Sequence, residues 1–267
     1  MKIALYTRKI DDQLEPYLCR LKELLVSNGI EVVMVTGDPL SGAIDFVFSI
    51  GGDGTLLSAV HLIGDMRIPV IGINFGHLGF LTTAGKEDID GLVEDLMAGH
   101  YTIEERTLLH TDFVVHSGDK PTSQIALNEV VLHRTESTSL LRTDLFVDDR
   151  FVSTYAGDGL IVATPTGSTA YSLSCGGPIL TPDSGCFVIT PIAAHSLTLR
   201  PIIVSDTSKI TLISKQVGSR SMLSLDSATA FVEGGEPIQI ERAGYKIPLV
   251  RLNKHNFFTA LHEKLAL

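Results

Sequence analysis

The amino-terminal part of the chain alternates short apolar runs with longer segments in which apolar residues recur every three or four positions. The short runs are rich in β-branched residues, which favours strands. Four strands are predicted: Ile3 to Tyr6, Val32 to Val35, Phe46 to Ile50 and Val70 to Ile73. Strands that alternate with helices are typical of a parallel sheet with crossover connections, so we expect an α/β domain over residues 1–106.

The longer segments of this region have the period of amphipathic helices. In the first of them the apolar residues form one stripe that ends before Gly29: Leu14, Leu18, Leu21 and Leu25. Further helices are predicted from about Thr55 to Ile63 and from about Glu87 to Met97, and the second of these should stop at Gly99. We expect these helices to be the crossovers between the strands.

The pattern changes after about Thr107 to many short strand-like runs separated by polar residues. Examples are Asp112 to His116, Ile125 to His133, Asp144 to Val147 and Ile210 to Ile213. This pattern of short runs predicts a β-rich second domain over residues 107–245.

The final segment, residues 246–267, returns to helical spacing. Its apolar residues lie four apart, at Phe257, Leu261 and Leu265. A helix with this stripe must bury it on another part of the protein. The fold class predicted from the pattern is therefore α/β plus all-β, with a terminal helix.

Composition and charge narrow the choice of partners. The chain has 267 residues, of which 44% are hydrophobic, enough for one large core or two modest ones. Its formal net charge is −10, so its long-range field repels a nucleic-acid backbone, and no nucleic acid is expected as a partner. Small phosphorylated ligands are still allowed, because backbone amides, helix N-termini and Mg²⁺ can oppose a few negative charges locally.

The sequence also carries no sign of export or membrane insertion. It has three cysteines, Cys19, Cys175 and Cys186, which are too few and too scattered for a disulfide framework or a structural zinc site. The N-terminus lacks the apolar stretch of a signal peptide, and no apolar segment approaches the ~20 residues needed to cross a bilayer. None of the nine histidines has metal-ligand spacing. We expect a cytoplasmic protein with no membrane contact and no metal site of its own.

A glycine-rich loop between a strand and a helix is the first candidate site. The apolar run Asp45 to Ile50 leads directly into Gly51-Gly52-Asp53-Gly54-Thr55, which precedes helix-like residues. Glycines allow positive φ angles and a close approach of the main chain to a ligand, while the amides and dipole of the helix favour anions. The layout is typical of a phosphate-binding loop, although a glycine turn between strand and helix is often only a turn.

Asp53 is the informative residue of this loop. A carboxylate among amides that hold phosphates repels them, so it needs a compensating role. It could hold Mg²⁺, accept the proton of an attacking hydroxyl, or serve only to cap the helix. As a base it would take the proton late in phosphoryl transfer, because a carboxylate is a far weaker base than a ribose alkoxide.

Two common nucleotide-binding motifs are missing. A Walker A loop ends in Gly-Lys-Ser or Gly-Lys-Thr, and no such sequence occurs here. The loop also lacks the pattern Gly-x-Gly-x-x-Gly, and it follows a later strand than the opening one, where a dinucleotide fingerprint usually lies. These absences disfavour a P-loop NTPase and a simple dehydrogenase.

Downstream stretches give the chain a family resemblance. The glycine loop alone is shared by NAD kinases, by diacylglycerol and sphingosine kinases and, in related form, by phosphofructokinases. Three further stretches are narrower: Gly72 to Leu81, Asn128-Glu129, and Gly157 to Tyr171. Together they resemble NAD kinases, the bacterial members in particular, from about Asp45 to Glu236.

The resemblance implies a Rossmann-like α/β domain, a β-rich domain that binds NAD, and a C-terminal segment that packs back on the first domain. It implies phosphoryl transfer from ATP, or from polyphosphate, to the 2′-hydroxyl of the adenosine ribose of NAD, giving NADP. Mg²⁺ is expected as the cofactor, carried mainly by the ATP phosphates. A homodimer or homotetramer is also implied.

The resemblance carries roles over to individual residues. Asp53 would be the catalytic base. The residues implied to bind the nucleotides are Gly51, Gly52, Asp53, Gly54, Thr55, Asn128, Glu129, Asp158, Thr166, Ser168, Thr169, Ala170, Tyr171, Ser174, Ala193 and Ala228.

The chemistry of the second stretch suits a dinucleotide. Asp158 lies between two glycines, so its carboxylate is expected on an unusually free backbone, where it could accept paired hydrogen bonds or be a simple turn residue. The hydroxyl-rich run Thr166 to Thr169 before Ala170 predicts a capped helix start, a suitable place for a pyrophosphate or for the edge of an adenine. Tyr171 could stack on a base, and simple packing is an equal alternative.

Asn128 and Glu129 pose a geometrical problem. Neighbouring residues of a regular strand point to opposite faces, so both can touch one ligand only if the strand bulges or ends there. We therefore predict an irregularity in the ladder at this point.

Two rival functions share parts of this sequence pattern. A lipid kinase has the same glycine loop but requires an apolar acceptor surface. A non-catalytic dinucleotide sensor would use Asp53 only as a helix cap. The presence of a phosphate loop and a second polar constellation in one chain disfavours both.

Overall fold

The computed structural model describes residues 1–10, 12–35, 40, 42–76, 79–117, 120–122, 124–135, 140–196, 198–252 and 256–265. It consists of two compact units: Met1–Glu105 together with Ile247–Leu267, and Arg106–Lys246.

The elements, in chain order, are β1 (Lys2–Tyr6), α1 (Glu15–Ser27), β2 (Glu31–Val35), β3 (Phe46–Ile50), α2 (Asp53–Ile63), β4 (Val70–Asn74), β5 (Ala84–Gly85), α3 (Ile89–Ala98), β6 (Tyr101–Thr111), β7 (Val115–Ser117), β8 (Lys120–Thr122), β9 (Ile125–Ala126), β10 (Glu129–Arg134), β11 (Leu141–Val147), β12 (Arg150–Gly157), β13 (Gly159–Ala163), α4 (Tyr171–Ser174), β14 (Cys186–Ile192), β15 (Ile202–Ser205), β16 (Ile210–Ser214), β17 (Arg220–Leu225), β18 (Ala228–Glu233), β19 (Pro237–Leu252) and α5 (Phe257–Leu265). Short 3-10 turns, Gly64–Met66, Lys86–Asp88 and Gly167–Thr169, adjoin α2, α3 and α4.

The first unit is built on a parallel sheet with the strand order β2-β1-β3-β4. β5 and the last part of β19 both pair in parallel with β4. β3 and β4 are buried along their whole length, which explains why their sequences are continuous apolar runs. The strands and helices predicted for this region are confirmed, with ends shifted by at most two residues.

The strand order of this sheet reverses direction between β1 and β3. The chain crosses from β1 through α1 to β2 on one side, and β3 then lies on the other side of β1. In open α/β sheets ligands bind at such a reversal, outside the carboxyl ends of the strands. The segments that leave these ends are residues 7–9, after β1, and the glycine loop, after β3.

The second unit contains two antiparallel sheets. The larger has the order β15-β14-β13-β10-β17-β18-β7-β8, and the other runs β12-β11-β16 and continues into the first half of β19. Apolar side chains from both sheets form one core, which includes Leu132, Leu145, Phe187, Leu223 and Ile240. The predicted fold class is confirmed: a Rossmann-like α/β unit, a β-rich unit, and a C-terminal helix that belongs to the first unit.

Two strand predictions in the second unit are wrong in detail. Of the run Asp112 to His116, only Val115 and His116 are in a strand, at the start of β7, and the preceding three residues connect β6 to β7. The side-chain amide of Gln124 donates to the Asp112 carbonyl at 2.6 Å, which satisfies that group without a ladder partner. The run Ile125 to His133 is divided between two strands, β9 and β10.

The terminal helix α5 is present, but the expectation that it buries its apolar stripe is wrong. None of the residues of α5 that the structure describes is buried, and Phe258 is 65% exposed. Phe257 and Leu261 are half-buried. The helix lies at the surface of its unit, because the apolar residues that fill the core from this end of the chain belong to β19, at Val250 and Leu252.

In the described part of the chain, no helix is long and apolar enough to cross a membrane.

Leu25 and Val26 are neighbours on α1 with opposite environments, 0% and 61% exposed. We expect Leu25→Ala to lower the free energy of unfolding by about 2–5 kcal/mol, since it removes buried methyl groups and leaves a cavity. Val26→Ala should change it by less than about 0.5 kcal/mol. Urea unfolding followed by circular dichroism measures both values, and equal effects would contradict the burial of this helix face.

Candidate functional site

The glycine loop joins β3 to the N-terminus of α2. Gly51 has a φ of 147°, and a Cβ atom there would overlap the Thr55 side chain, so only glycine fits this turn. Open space surrounds Gly52, and Gly54 is exposed. The first amides of a helix have no acceptor within the helix. The amides of Gly51 and Thr55 already donate to the carbonyls of Ile73 and Gly52, so the donors that a phosphate requires are those of residues 52–54, beside open space.

Asp53 is the first residue of α2, after the cap position Gly52. Its carboxylate accepts two main-chain hydrogen bonds from outside the helix, from the Phe80 N–H at 2.9 Å and from the Leu81 N–H at 3.3 Å. The hypothesis that Asp53 only caps its helix is therefore wrong, because its side chain bonds a distant segment. The residue as a whole is partly exposed.

The stretch Gly72 to Leu81 forms the support for Asp53. A Cβ atom on Gly79 would overlap the Asp53 carboxylate, which explains the glycine at this position. The Gly79 N–H donates to Thr82 Oγ1 at 2.8 Å and fixes the turn. Two members of the motif, His77 and Leu78, lie outside the described residues.

A cavity of about 300 Å³ opens beside the loop. Its lining residues are Thr7, Arg8, Lys9, Gln13, Leu14, Ile50, Gly51, Thr55, Phe75 and Lys86. These residues follow β1, β3, β4 and β5, so the cavity lies at the carboxyl ends of the strands and at the reversal of strand order. Arg8 is held over the first turns of α2 by a hydrogen bond from Nε to Ser58 Oγ at 2.9 Å.

Three cations line this cavity and come from two segments: Arg8 and Lys9 follow β1, and Lys86 follows β5. They supply beside the loop the positive charge that the lysine of a Walker A motif supplies within its own loop. The missing lysine is thus replaced by side chains that only the folded sheet brings together.

In the second unit, the predicted irregularity at Asn128 and Glu129 is present. Asn128 belongs to no strand, and Glu129 begins β10. The carboxylate of Asp226, in the turn between β17 and β18, fixes this break. It accepts three successive main-chain N–H groups: Leu127 at 2.8 Å, Asn128 at 2.9 Å and Glu129 at 3.1 Å. The break removes the obstacle that a regular strand would pose to shared ligand contact.

Glu129 is an acid in an apolar setting. Burial raises the pKa of Glu129 to about 8, the negative charge of Asp226 adds to the rise, and a hydrogen bond from the main chain of Tyr171 opposes it. Its Oε2 atom is buried with no hydrogen-bond partner in the described structure. At neutral pH the side chain is therefore a neutral acid that can donate as well as accept a hydrogen bond.

Asp158 lies in the tight connection between β12 and β13. A Cβ atom on Gly157 would lie 2.6 Å from the Ile192 carbonyl oxygen, and one on Gly159 would overlap the Leu132 carbonyl oxygen of β10. The expectation of an unusually free backbone is corrected: neither glycine has a positive φ, and both are needed for space. The Asp158 carboxylate pairs with Arg134, with Nε and Oδ1 3.0 Å apart.

Tyr171 connects these groups. Its ring stacks on His133, with centroids 5.9 Å apart and planes at 23°, and the residue remains 38% exposed. Burial, followed by the nearby groups Cys175, Asp158 and Glu129, raises the pKa of Tyr171. The structure thus brings together three of the predicted binding residues, Glu129, Asp158 and Tyr171.

The segment from Thr166 to Ser174 is less helical than predicted. It forms one 3-10 turn and the four-residue helix α4, and neither has a side-chain cap. Ser168 is fully buried, and its Oγ donates to the Pro165 carbonyl at 2.7 Å and accepts from the Leu180 N–H at 2.9 Å. The prediction of a capped helix start is wrong because this hydroxyl bonds other segments instead.

The remaining predicted residues differ in access. Thr169, Ala170, Ser174 and Ala193 are partly or fully exposed. Thr166 is buried, and its Oγ1 accepts a hydrogen bond from Arg106. Ala228 is 1% exposed and lies in the core between the sheets.

Sequence reasoning missed Asp226 and the three cations of the cavity. The dipeptide Asp226-Ser227 between two apolar runs is a turn signal and could have located a hairpin. It could not have revealed bonds to a segment 99 residues away. Arg8 and Lys9 directly follow the first strand, but only the parallel strand order places them beside the loop after β3.

Comparison with known proteins gives matches in both halves of the chain. Residues 35–101 match the ATP-NAD kinase N-terminal domain, and residues 127–252 match the ATP-NAD kinase C-terminal domain. The NAD kinase of Christiangramia forsetii is 37% identical over 286 aligned positions, which cover 99% of this chain and 97% of the relative. That of Porphyromonas gingivalis is 42% identical over 231 positions, 85% of this chain and 78% of the relative.

Solved structures agree along the whole chain. An NAD kinase from Archaeoglobus fulgidus in complex with ATP superposes with a TM-score of 0.82 at 28% identity, covering 100% of this chain and 99% of the other. Yeast NADH kinase complexed with NADH shares the fold, with a TM-score of 0.86 at 24% identity, covering 100% of this chain and 87% of the other. With both domain models matched and relatives of this identity over its full length, the chain belongs to the NAD kinase family.

Proposed function

We propose that this chain transfers the terminal phosphoryl group of ATP to the 2′-hydroxyl of the adenosine ribose of NAD, giving NADP. The observation that carries the proposal is the placement of Asp53. This partly exposed residue lies within the glycine loop, and main-chain amides hold its carboxylate. The same loop borders the cavity that is lined by cations. Membership of the NAD kinase family supports the choice of substrates. The archaeal relative solved with ATP supports the donor.

The donor phosphates bind at Gly51 to Thr55. The amides and the dipole of α2 favour negative charge there, and Arg8, Lys9 and Lys86 offset the charge that remains. Phosphoryl transfer leaves little covalent chemistry for a protein to do, so positioning and charge neutralisation supply most of the acceleration.

Asp53 receives the proton of the ribose 2′-hydroxyl. As the bond from O2′ to the γ-phosphorus forms, the bond from that phosphorus to the bridging oxygen breaks and ADP leaves. The attacking oxygen becomes more acidic during this step, so a carboxylate can then accept its proton. The hydrogen bonds from Phe80 and Leu81 hold the carboxylate in one orientation for this transfer.

NAD binds to the accessible polar residues of the second unit. Asn128, the neutral acid Glu129 and Asp158 hydrogen-bond its hydroxyl and amide groups, and the exposed face of Tyr171 stacks on a base. Further contacts come from Thr169, Ala170, Ser174 and Ala193. Three further residues are buried, and they stabilise the site without facing the ligand: Thr166, Ser168 and Ala228.

Mg²⁺ is the cofactor of the proposed reaction. Among the residues that the structure describes, no three or more His, Cys, Asp or Glu side chains are grouped so that they could hold a metal ion. This fits Mg²⁺, which keeps several waters and is held largely by substrate phosphates with one or two carboxylates. The ion would be held mainly by the ATP phosphates, which leaves Asp53 to accept the proton. When bound, the ion neutralises charge on the phosphates.

The proposal also covers the cellular location, the assembly and the phosphoryl donor of the enzyme. We place it in the cytoplasm, as a homodimer or homotetramer that accepts ATP or polyphosphate. The half-exposed stripe of α5 supports assembly, since a second copy would remove it from water.

Asp53→Asn is expected to lower kcat by about 10²- to 10⁴-fold, because it removes the proton acceptor. NAD affinity should be largely unchanged, since the residues proposed to bind NAD are in the second unit. A coupled assay for NADP with purified protein, NAD, ATP and Mg²⁺ measures kcat, and calorimetry measures NAD binding.

Asp65→Asn is the matched control, because Asp65 is an exposed carboxylate just beyond α2. Near-normal NADP production by Asp53→Asn would refute the role of Asp53. Phosphorylation of diacylglycerol but not of NAD would identify a lipid kinase. NAD binding without any ATP-dependent product would identify a sensor.

Arg8→Met and Lys86→Met should each raise the KM for ATP about tenfold or more, the effect of losing one hydrogen bond to a charged group. The affinity for NAD should not change. Lys246→Met is the control, because this exposed lysine is not among the residues that line the cavity. Steady-state kinetics with varied ATP measure the effect, and an unchanged KM in both variants would remove these cations from the donor site.

NAD binding should weaken above pH 8 through Glu129. With a pKa of about 8, the carboxyl is mostly neutral at pH 7 and mostly ionised at pH 9, where it no longer donates. If only the neutral form binds, the apparent Kd at pH 9 is about tenfold higher than at pH 7. Glu129→Gln cannot ionise and should lose this dependence. Calorimetric titrations at both pH values would contradict the idea if the two proteins behaved alike.

A further inference from the structure

Arg251 is a buried arginine near the end of β19, with its side chain 8% exposed. Its guanidinium donates to three successive carbonyls: Phe80 at 2.7 Å, and Leu81 and Thr82 at 3.3 Å. Nε donates to Glu104 Oε2 at 3.1 Å. Most of the donor capacity of this side chain is thus directed at one short segment.

The same segment holds Asp53 from the opposite side. The carbonyl of Phe80 and the N–H of Leu81 belong to one planar peptide group, which accepts from Arg251 at one end and donates to Asp53 at the other. A hydrogen bond to the carbonyl also polarises the N–H and makes it a stronger donor. Arg251 therefore acts on the carboxylate through a single rigid unit.

Other contacts tie the C-terminal segment to this support. The Leu252 N–H donates to the buried Thr83 Oγ1 at 3.1 Å. In α5, Lys264 lies over the ring of Phe80, with Nζ 5.8 Å from the centroid. The end of the chain thus contacts the residues that hold Asp53 at several points within the first unit.

We propose that Arg251 is a positioning residue for phosphoryl transfer: through the peptide group between Phe80 and Leu81, it holds the Asp53 carboxylate in the orientation that accepts the proton. The inference rests on the proposed function of Asp53. Arg251 touches no reacting atom, so it acts on kcat and leaves the binding of NAD alone.

The test compares Arg251→Met and Arg251→Lys with wild type. Arg251→Met should lower kcat about 100-fold, the effect of a displacement of about 1 Å in a reacting group, while the KM and Kd for NAD stay the same. Arg251→Lys should be intermediate, because lysine keeps the charge but lacks the planar fork that reaches several carbonyls. Hydrogen exchange of the Phe80 and Leu81 amides should be faster in both variants.

Leu25→Ala is the control for stability, because it weakens the core of the same unit without touching this segment. All assays are run below the unfolding temperature of each protein. A folded Arg251 variant with wild-type kcat would overturn the inference, and so would a loss of kcat that Leu25→Ala shares. If Arg251→Met does not fold, Arg251→Lys decides. A wild-type protein that makes no NADP would instead refute the proposed function, and this result precedes any comparison of variants.

Discussion

The chemistry proposed for the first unit depends on one carboxylate held by two main-chain amides. A negative side chain at the head of a phosphate loop repels its own ligands and is drawn toward any nearby cation. The N–H groups of Phe80 and Leu81 oppose its charge and fix its direction. Gly79 makes this possible, since any side chain there would occupy the place of the carboxylate. The glycine loop, the stretch after β4 and the end of β19 therefore work as one structure.

In the second unit, the environment of Glu129 favours its neutral form. Glu129 receives a hydrogen bond from Tyr171 but is buried next to Asp226, so its pKa rises and it is neutral at physiological pH. Asp226 itself takes three main-chain donors, including the N–H of Glu129. Asp226 thus receives most of the main-chain donors, while the neighbouring Glu129 keeps its proton. This division leaves a hydrogen-bond donor where a strand ends, beside Asn128.

The sequence was sufficient where the structure depends on local spacing. The leucine stripe of α1 and the apolar run of β3 have periods that can be read directly, and their ends were predicted within two residues. The break at Asn128 could also be foreseen, because the resemblance assigns two adjacent residues to one ligand, which is incompatible with a flat strand. Motif recognition located Asp53.

What could not be predicted was which groups these residues contact. Asp53 bonds residues 27 and 28 positions away, and Arg251 bonds carbonyls about 170 positions away. Such pairings depend on how the sheet is assembled, which no local pattern encodes. Ser168 is an instructive failure: its hydroxyl suggested a helix cap, but it donates to the carbonyl of Pro165 and accepts from Leu180, on a segment with no evident link in sequence.

The three cations of the cavity have a consequence for folding. Arg8, Lys9 and Lys86 reach one space only when β1, β3 and β5 are all in place. A polyanion that contacts all three can bind only the assembled sheet, so its binding energy adds to the stability of the whole sheet and not of one loop. The resistance of this unit to heat and to proteases would therefore rise with the concentration of any polyanion that binds there.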